Sequence, residues 1–457
     1  MRIAIVGSGI SGLVAAHHLH REHDITVFEA NDYIGGHTHT VTVQDNGRPL
    51  QVDTGFIVFN ERNYPRFSRL LSELGVNSHE SNMSFGVNCE RSGLEYRASS
   101  LGTLFAQKRN LVRPPIYTMI RDIFRFFRHA PALLEAGAED VTLGEYLERG
   151  GYSEVFVEKH ILPMGAALWS ATRDDIREFP ARFFVQFLDN HGMLARSGRP
   201  TWRVVSGGSS QYVDAITAPF RHRIRLRTPV TAIERDDMGV TLVHSDDRSE
   251  RFDHVIISVH SDQALRMVAA PTSLEREVLG SIPYQRNEVV LHTDTSILPR
   301  SRKAWAAWNH HILDTGQQEV AVTYWMNLLQ GFSASNEYLV TLNASDRIDR
   351  RAVLAEFVYH HPVLTRAGVS RQSRQLELGR GLHTTYCGAY WGFGFHEDGV
   401  ASAEAAVEEV RAAAEAKTFR GQDVGSAFAL IGEDASHVEV SAVDPDGSAR
   451  GTAGVLS

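Results

Sequence analysis

Three glycines near the start of the chain have the spacing of a loop that holds phosphate groups. Gly7, Gly9 and Gly12 follow a short apolar run, and an apolar helical pattern begins directly after them. The first glycine permits a tight turn, the second lets backbone N–H groups approach a diphosphate, and the third lets the helix pack on the strand. The helix N-terminus carries a partial positive charge that attracts phosphate. The spacing predicts a dinucleotide site that also includes Ile10 and Ser11.

An acidic residue follows at the distance that a ribose requires. Glu29 ends a second apolar run, Ile25 to Phe28, about 20 residues after the glycine loop. A carboxylate there accepts a hydrogen bond from a ribose 2′-hydroxyl and repels a 2′-phosphate, which disfavours NADP. Strand, loop, helix, strand and acid together predict a βαβ unit with a bound nucleotide. A βαβ unit without a nucleotide is the alternative.

A second glycine pair and an Asp-x-Gly segment lie further along the chain. Gly35 and Gly36 follow Glu29 after a few residues, and residues 53–56 read Asp-Thr-Gly-Phe. This order of motifs resembles the flavin-containing amine oxidase superfamily, which includes monoamine oxidases, protoporphyrinogen oxidase and phytoene desaturases. The resemblance implies non-covalent FAD, with the glycine pair at its diphosphate and ribityl chain and residues 53–56 near its flavin ring. His37 stands where arginine is more usual in that superfamily.

The far end of the chain extends the resemblance. Aromatic residues and glycines alternate from Tyr386 to Phe395, and an Ala- and Glu-rich helix is predicted from about 398 to about Ala416. Glycines let the main chain pass close to a planar ring, and aromatic side chains supply flat walls. In the superfamily the N-terminus of this helix faces flavin N1 and O2, where negative charge accumulates on reduction.

Further matching segments lie between these ends. Residues 202–212 predict a glycine turn that opens a helix, and strands are predicted at 223–226, 230–234 and 253–259. In the superfamily the strand that begins near Val230 meets the adenine end of FAD. The predicted cofactor-binding residues are Gly7, Gly9, Ile10, Ser11, Gly12, Glu29, Ala30, Gly35, Gly36, His37, Thr54, Gly55, Phe56, Val230, Phe395, Asp398, Gly399 and Val400.

These segments predict an α/β fold, with a Rossmann-like FAD-binding domain of the GR2, amine-oxidase-like type and an inserted α+β substrate domain. The predicted FAD-binding domain is discontinuous and comprises residues 1–60, 200–265 and 376–420. The predicted substrate domain comprises residues 61–199 and 266–375, where helical periodicity prevails between 60 and 200. Residues 424–457 are rich in Gly, Ser, Ala and Asp, which predicts a flexible tail.

The resemblance implies an enzyme that performs a two-electron oxidation. A C–H bond of the substrate lies against flavin N5, hydride passes to the flavin, and O2 or a quinone-like acceptor reoxidises it. Such a reaction needs positioning more than a strong base, which agrees with the lack of an evident catalytic dyad. If a proton also leaves, the predicted catalytic residues are His396 and Glu397, beside the flavin-facing helix. Flavin packing or helix capping is the alternative role for both.

The substrate class follows from a narrower resemblance. Residues 394–399, Gly-Phe-His-Glu-Asp-Gly, together with Trp305 and Trp308, resemble a bacterial subgroup often encoded beside cyclopropane-fatty-acid-synthase-like methyltransferases. This implies a desaturase or dehydrogenase acting on a fatty-acyl or other lipid-like substrate. A soluble amine oxidase is the alternative, although Tyr390 and Trp391 are adjacent, so on extended backbone their side chains cannot both flank one amine. A non-catalytic flavin-binding module is a second alternative.

Residues 108–128 predict a basic amphipathic segment. Apolar residues share one helical face, namely Ile116, Met119, Ile120, Ile123, Phe124 and Phe127. Basic residues flank that face or share another, namely Lys108, Arg109, Arg113, Arg121, Arg125 and Arg128. From residue 101 to 134 these six stand against Asp122 alone, a local charge of +5. The pattern favours contact with an anionic membrane surface, and a helix packed on its own protein is the alternative.

Composition argues against several other classes. A formal net charge of -9 argues against a nucleic-acid-binding protein. Cys89 and Cys387 lie far apart without a CxxC spacing, and the 22 histidines lack neighbouring ligands at metal-site spacing, so neither a disulfide framework nor a metal is predicted. The N-terminus has no signal-peptide pattern, which predicts a cytoplasmic protein that is peripheral on the inner face of the membrane if residues 108–128 bind lipid. The oligomeric state is not predicted.

Overall fold

The computed structural model describes residues 1–137, 140–195, 198–314 and 320–432. Residues Met1–Glu409 form one compact unit, and the described residues from Val410 onward belong to a second. Both predicted domains contribute to the first unit, so the boundaries between them stay a prediction. The C-terminal helix continues to Gly432 instead of ending near Ala416. From residue 433 onward the predicted tail lies outside the described residues.

The strands are numbered here in chain order. They are β1 Arg2–Val6, β2 Asp24–Phe28, β3 Thr40–Asp45, β4 Arg48–Asp53, β5 Val58–Phe59, β6 Ser78–Glu80, β7 Phe85–Cys89, β8 Leu94–Arg97, β9 Arg203–Val205, β10 Ile224–Arg225, β11 Val230–Asp236, β12 Gly239–His244, β13 Ser249–Phe252, β14 His254–Ile257, β15 Tyr284–His292, β16 Trp308–Ile312, β17 Ala321–Trp325, β18 Leu339–Leu342, β19 Val353–Pro362 and β20 Thr384–Tyr386.

The α-helices are numbered in the same way. They are α1 Ile10–Leu19, α2 Pro65–Glu73, α3 Leu101–Leu104, α4 Pro114–His129, α5 Leu143–Arg149, α6 Glu154–Phe156, α7 Leu162–Trp169, α8 Arg173–Glu178, α9 Ala181–Asn190, α10 Ser210–Thr217, α11 Ser261–Met267, α12 Ser273–Leu279, α13 Met326–Leu329, α14 Arg366–Arg371 and α15 His396–Gly432.

A five-stranded parallel sheet has the order β10-β2-β1-β14-β20. Strand β1 lies at its centre, with Val6 opposite Phe28 on one side and Ile257 on the other. Residues Ile3 to Ile5 are completely buried, as expected for a parallel strand that is covered on both faces. The predicted βαβ unit and the Rossmann-like α/β fold are therefore confirmed.

The carboxyl ends of the central strands meet at one edge of this sheet. Strand β1 leads into Gly7, β2 into Glu29 and β14 into Ser258. In open parallel sheets the ligand-binding crevice lies at this edge. The fold therefore brings the glycine loop and the acidic residue to a common site.

A seven-stranded sheet has the order β19-β15-β18-β17-β16-β7-β8. All of its neighbours are antiparallel except β16 and β7, where Trp308 lies opposite Phe85. Strands β7, β8, β16 and β17 share a hydrophobic core with helices α4 to α9. Strands β6 to β8 lie where the sequence pattern indicated helices, because runs of three to five residues are too short to show a clear alternation.

Helix α4 forms where the sequence pattern predicted a helix, and its buried face is rotated from the predicted apolar face toward Asp122. Ile120, Ile123 and Phe127 of the predicted face are partly buried against the core. The buried residues of the helix are Ile116, Met119, Asp122 and Phe126. Phe124, predicted on the apolar face, is 44% exposed. The Asp122 carboxylate can occupy the buried face because it accepts the Ser153 N–H at 2.9 Å and pairs with two neighbouring arginines. Apolar periodicity alone could not indicate this buried acid.

Within the described ranges, no helix is long and apolar enough to cross a lipid bilayer.

Candidate active site

A cavity of about 710 Å³ opens at the carboxyl edge of the parallel sheet. It extends from the glycine loop to the seven-stranded sheet, from which Trp308, Tyr324 and Tyr359 reach its wall. Its volume lies within the range of about 300–1,000 Å³ that is usual for ligand sites.

Most of the predicted cofactor-binding residues line this cavity. They are Gly7, Gly9, Ile10, Ser11, Glu29, Ala30, Gly35, Gly36, His37, Thr54, Gly55, Phe56, Val230 and Phe395. Gly12, Asp398, Gly399 and Val400 do not line it. Gly399 instead lies against helix α1, because a Cβ there would approach the Ile10 Cγ2 atom to 2.7 Å. Asp398 accepts the Phe395 N–H at 2.9 Å and so caps the first turn of α15.

The space in front of helix α1 is open. A Cβ atom added to Gly9 would have no neighbouring atom within 4 Å, although Gly9, Ile10 and Ser11 all face the cavity. The first N–H groups of a helix have no partner within the helix, so they are available to an anion in this space. The cradle fits a diphosphate, and any side chain at Gly9 would fill it.

Glu29 supplies the acceptor expected for a ribose. Its Oε2 accepts the Ser8 N–H at 3.0 Å and the Ser8 hydroxyl at 2.6 Å, and its Oε1 accepts the Asn31 N–H at 2.9 Å. Each carboxylate oxygen has two lone pairs, so Oε1 keeps one for a ligand hydroxyl. Glu29 therefore both holds the glycine loop in place and faces the cavity.

Glu29→Ala should weaken FAD binding by roughly 10- to 150-fold, because a charge-assisted hydrogen bond contributes about 1.5–3 kcal/mol. Titration of the cofactor-free protein with FAD would measure the change. Asp32→Ala is the matched control, since Asp32 is exposed, pairs with Arg227 and does not line the cavity. An equal loss in both variants would contradict a specific role for Glu29.

His396 stands at the flavin end of the cavity. Its ring stacks on Phe56 with centroids 3.5 Å apart and an interplanar angle of 14°. Its Nε2 lies 2.9 Å from Thr38 Oγ1 and 3.0 Å from the Tyr212 hydroxyl. Burial lowers the pKa of His396 to about 3, so the imidazole is neutral near pH 7 and a poor proton acceptor. These contacts give His396 a positioning role in the wall beside Phe56.

Glu397, the other predicted catalytic residue, points away from the cavity. Its carboxylate accepts the N–H groups of Arg66 and Phe67 at 3.1 and 3.0 Å, at the N-terminus of helix α2. An anion is stabilised at that position by the helix dipole. Of the two residues, the structure brings only His396 to the cavity wall.

A histidine cluster that sequence reasoning missed surrounds His37. The His37 ring lies 5.5 Å from the ring of His260 and 5.4 Å from that of His361, and all three line the cavity. His37 Nε2 donates to the His360 carbonyl oxygen at 3.1 Å. Burial holds the pKa of His37, His260 and His361 below the usual range, so the cluster is neutral near pH 7. The adjacent pair His360 and His361 was visible in the sequence, but its partners lie about a hundred or more residues away.

The described residues contain no group of three side chains that could hold a metal ion.

The far arm of the cavity, near the seven-stranded sheet, is aromatic and aliphatic. Its walls include Tyr64, Met83, Trp169, Phe187, Trp202, Trp308, Tyr324 and Leu342. The charged side chains that line the described cavity are Glu29 and Arg266, which lie on segments following β2 and β14. The indole Nε1 of Trp308 is buried and has no hydrogen-bond partner within the described residues.

Residues 10–316 match the family of flavin-containing amine oxidoreductases, and the chain belongs to this family. The open cradle at Gly9, the Glu29 carboxylate and the glycine- and aromatic-rich segment before α15 fit FAD, which is the cofactor. The superfamily predicted from the sequence is thus confirmed.

Individual relatives are more distant. Tryptophan 2-monooxygenase of Allorhizobium ampelinum (strain ATCC BAA-846 / DSM 112012 / S4) is 32% identical over 156 residues, 33% of this chain and 20% of that protein. The chain thus matches about a fifth of the length of that relative.

Solved structures share the fold over most of the chain. Cyclohexylamine oxidase from Brevibacterium oxydans IH-35A matches with a TM-score of 0.62 at 19% identity, covering 90% of this chain and 99% of that one. Putrescine oxidase bound to putrescine gives 0.64 at 16%, with 90% and 99% covered. A CLA-producing fatty acid isomerase from P. acnes gives 0.62 at 15%, with 90% and 98% covered. At these identities the likeness shows the fold alone.

Proposed function

We propose that this chain is an FAD-dependent oxidoreductase that removes hydride from a C–H bond of a hydrophobic, fatty-acyl or lipid-like substrate. When bound, FAD supplies the hydride acceptor, its flavin N5. The observation that carries the substrate class is the aromatic and aliphatic lining of the arm, in a cavity that Phe56 and His396 also line.

The arm favours an acyl chain over an ammonium group. Glu29 and Arg266, the charged residues of the cavity lining, both lie toward the nucleotide end. A cationic substrate in the arm would lose its hydration without meeting a carboxylate. Each methylene of an acyl chain would instead gain about 0.8 kcal/mol on burial.

Trp308 gives this arm a rigid apolar wall. Its ring packs edge-to-face on Tyr324 with centroids 4.9 Å apart, which fixes its orientation. The indole Nε1 is buried without exposed surface, so ring carbons and not the N–H line the cavity.

The protein contributes orientation more than acid–base chemistry in this proposal. Neutral His396 is held by Thr38 and Tyr212 and supports Phe56 against the site. Aromatic walls exclude water and keep the reacting C–H bond in place. Loss of two hydrogens from an acyl chain would balance as a hydride from one carbon and a proton from the neighbouring carbon, both of which the cofactor would take up as it is reduced. Neutral His396 would not need to accept this proton.

The test is anaerobic reduction of the bound flavin. The FAD-loaded protein would be mixed with long-chain fatty acids and their esters, and separately with putrescine and cyclohexylamine. Acyl compounds should bleach the oxidised flavin and yield a product that mass spectrometry finds two hydrogens lighter. Bleaching by the amines alone would identify a soluble amine oxidase, and bleaching by neither class would leave a flavin-binding module; either result would overturn the proposal.

A further inference from the structure

The exposed face of helix α4 combines aromatic and basic side chains. Tyr117, Arg121, Phe124 and Arg128 follow one another at intervals of three or four residues, so they share one face. All four are exposed, Tyr117 to 50% and Phe124 to 44%. This face lies opposite the buried residues of the helix and shares only Phe124 with the apolar face that the sequence pattern indicated.

The turn before α4 adds an exposed aliphatic tip. Leu111 is 52% and Val112 81% exposed, and the exposed Lys108 and Arg109 lie beside them. Four of the nine large hydrophobic side chains exposed in the described residues therefore fall between 111 and 124. We call Lys108, Arg109, Leu111, Val112, Tyr117, Arg121, Phe124 and Arg128 the α4 surface.

The charge of the α4 surface opposes that of the chain. It carries four basic and no acidic residues, whereas the whole chain has a net charge of -9. The one acid between residues 101 and 134, Asp122, is completely buried and held by Ser153. The surface therefore offers an anionic partner both charge attraction and apolar side chains to bury.

A basic concavity adjoins this surface. A cavity of about 490 Å³ is lined by Arg125, His129 and Arg149 together with Tyr146 and Tyr152, and no acidic side chain lines it. The Arg125 guanidinium lies 4.0 Å from the centre of the Tyr152 ring, which holds it at the wall. Arg125 and His129 each follow directly after a residue of the α4 surface. The concavity has the charge and the aromatic walls that suit a lipid phosphate.

We propose that the α4 surface seats the protein on an anionic phospholipid membrane, with Val112, Tyr117 and Phe124 in the headgroup region. Aromatic and aliphatic side chains partition there, and each basic residue near the surface adds attraction to anionic lipid. A flat apolar patch would favour another protein, but these apolar side chains alternate with arginines along the helix. The inference concerns where the protein is located and does not depend on the proposed substrate.

The test is co-sedimentation of the full-length, FAD-loaded protein with phosphatidylcholine vesicles, with and without phosphatidylglycerol. The protein should sediment with the anionic vesicles, remain in solution with the neutral ones, and be released as salt is raised. Val112→Ser with Phe124→Ser should lower binding about tenfold or more. Arg121→Glu should lower it about fivefold or more.

Two control variants match these changes elsewhere on the surface. Met238→Ser removes a side chain that is 77% exposed at a distant turn, and Arg276→Glu reverses an exposed charge on helix α12. Both should bind vesicles as the unaltered protein does. Failure to bind anionic vesicles, equal binding to neutral ones, or equal losses in the controls would each overturn the proposal.

Discussion

The protein should lose stability steeply as the pH falls below about 6.5, the pKa of histidine in an unfolded chain. Burial lowers the pKa of nine histidines to about 3 or 4, and the eight most deeply buried of these are His160, His191, His254, His292, His310, His311, His361 and His396. Between these values and about 6.5 the unfolded chain binds protons that the folded protein does not bind. The contribution of these histidines to the free energy of unfolding is therefore fully present above about pH 6.5 and is lost as the pH falls.

The expected loss is large. Each buried histidine contributes up to about 1.4 kcal/mol per pH unit, so the eight together remove on the order of 10 kcal/mol by about pH 5.5. This is comparable with the whole stability of a typical protein, about 5–15 kcal/mol. Asp53 and Asp398 act in the opposite direction, because burial raises the pKa of each to about 6 and the folded state gains from their protonation. Two such groups offset only a fraction of the loss.

One hydrogen-bonded chain in the seven-stranded sheet shows why protonation is costly. His292 Nε2 lies 2.7 Å from Thr341 Oγ1, which is 2.8 Å from Thr323 Oγ1, which is 2.9 Å from His311 Nε2. The members of this buried chain are hydroxyl and imidazole groups, so an added charge on either imidazole has no hydrogen-bonded carboxylate within the chain. Asp294 lies near His292, but burial outweighs its effect on the His292 pKa.

Urea unfolding at about pH 8, 7, 6 and 5.5 would measure the effect. His311→Gln should flatten the pH dependence by about one proton, because one linked group is removed. His222→Gln, at an exposed position, should leave the dependence unchanged. A free energy of unfolding that stays constant from about pH 8 to 5.5 would show that the buried histidines do not resist protonation.

The parts of the fold that could be predicted are those with local signatures. The apolar run before Gly7, the spacing of the glycines and the acid at Glu29 specify the βαβ unit within thirty residues. The order of the seven-stranded sheet has no such signature. Its pairing of Phe85 with Trp308 joins residues more than two hundred positions apart, and only tertiary packing selects that partner.

The residues of the site could likewise be predicted only where they belong to a local motif. Residues within motifs, such as Gly36 and Thr54, were placed at the cavity from sequence, whereas His260 and Phe187 were not, because single histidines and aromatics have no motif. His396 and Glu397 show a further limit. Successive residues of a helix point about 100° apart, and in α15 His396 faces the cavity whereas Glu397 faces the N-terminus of α2. Which of the two faces the cavity depends on where α15 begins.

Two glycines of one motif should give opposite results when a valine replaces them. Gly9 has φ -69° and ψ 177°, a conformation open to any residue, and a Cβ there would meet no atom within 4 Å. Gly9→Val should therefore fold, but its side chain would occupy the space of the diphosphate. A Cβ on Gly12 would lie 2.1 Å from the Gly7 carbonyl oxygen and 2.5 Å from Ser258 Oγ. Gly12→Val should therefore force helix α1 away from the sheet.

The expected outcomes differ in both fold and cofactor. Gly9→Val should be monodisperse and melt like the cofactor-free form of the unaltered protein. Its affinity for FAD should fall by roughly two orders of magnitude or more, because the diphosphate contacts are lost. The cofactor-free form is the proper reference, because bound FAD itself raises the melting temperature. Gly12→Val should be destabilised by about 3 kcal/mol or more, because the backbone oxygen of Gly7 cannot move aside as a side chain would.

Size-exclusion chromatography, thermal unfolding and FAD titration by fluorescence quenching would separate these outcomes. Stoichiometric FAD in Gly9→Val would place the diphosphate away from the N-terminus of α1. Normal melting of Gly12→Val would mean that the contact between α1 and the turn at Gly7 can relax. If Gly9→Val loses FAD but keeps its fold, and Gly12→Val loses stability, then Gly9 leaves space for the ligand and Gly12 lets helix α1 pack closely on the sheet. The spacing of the motif predicts these two different roles.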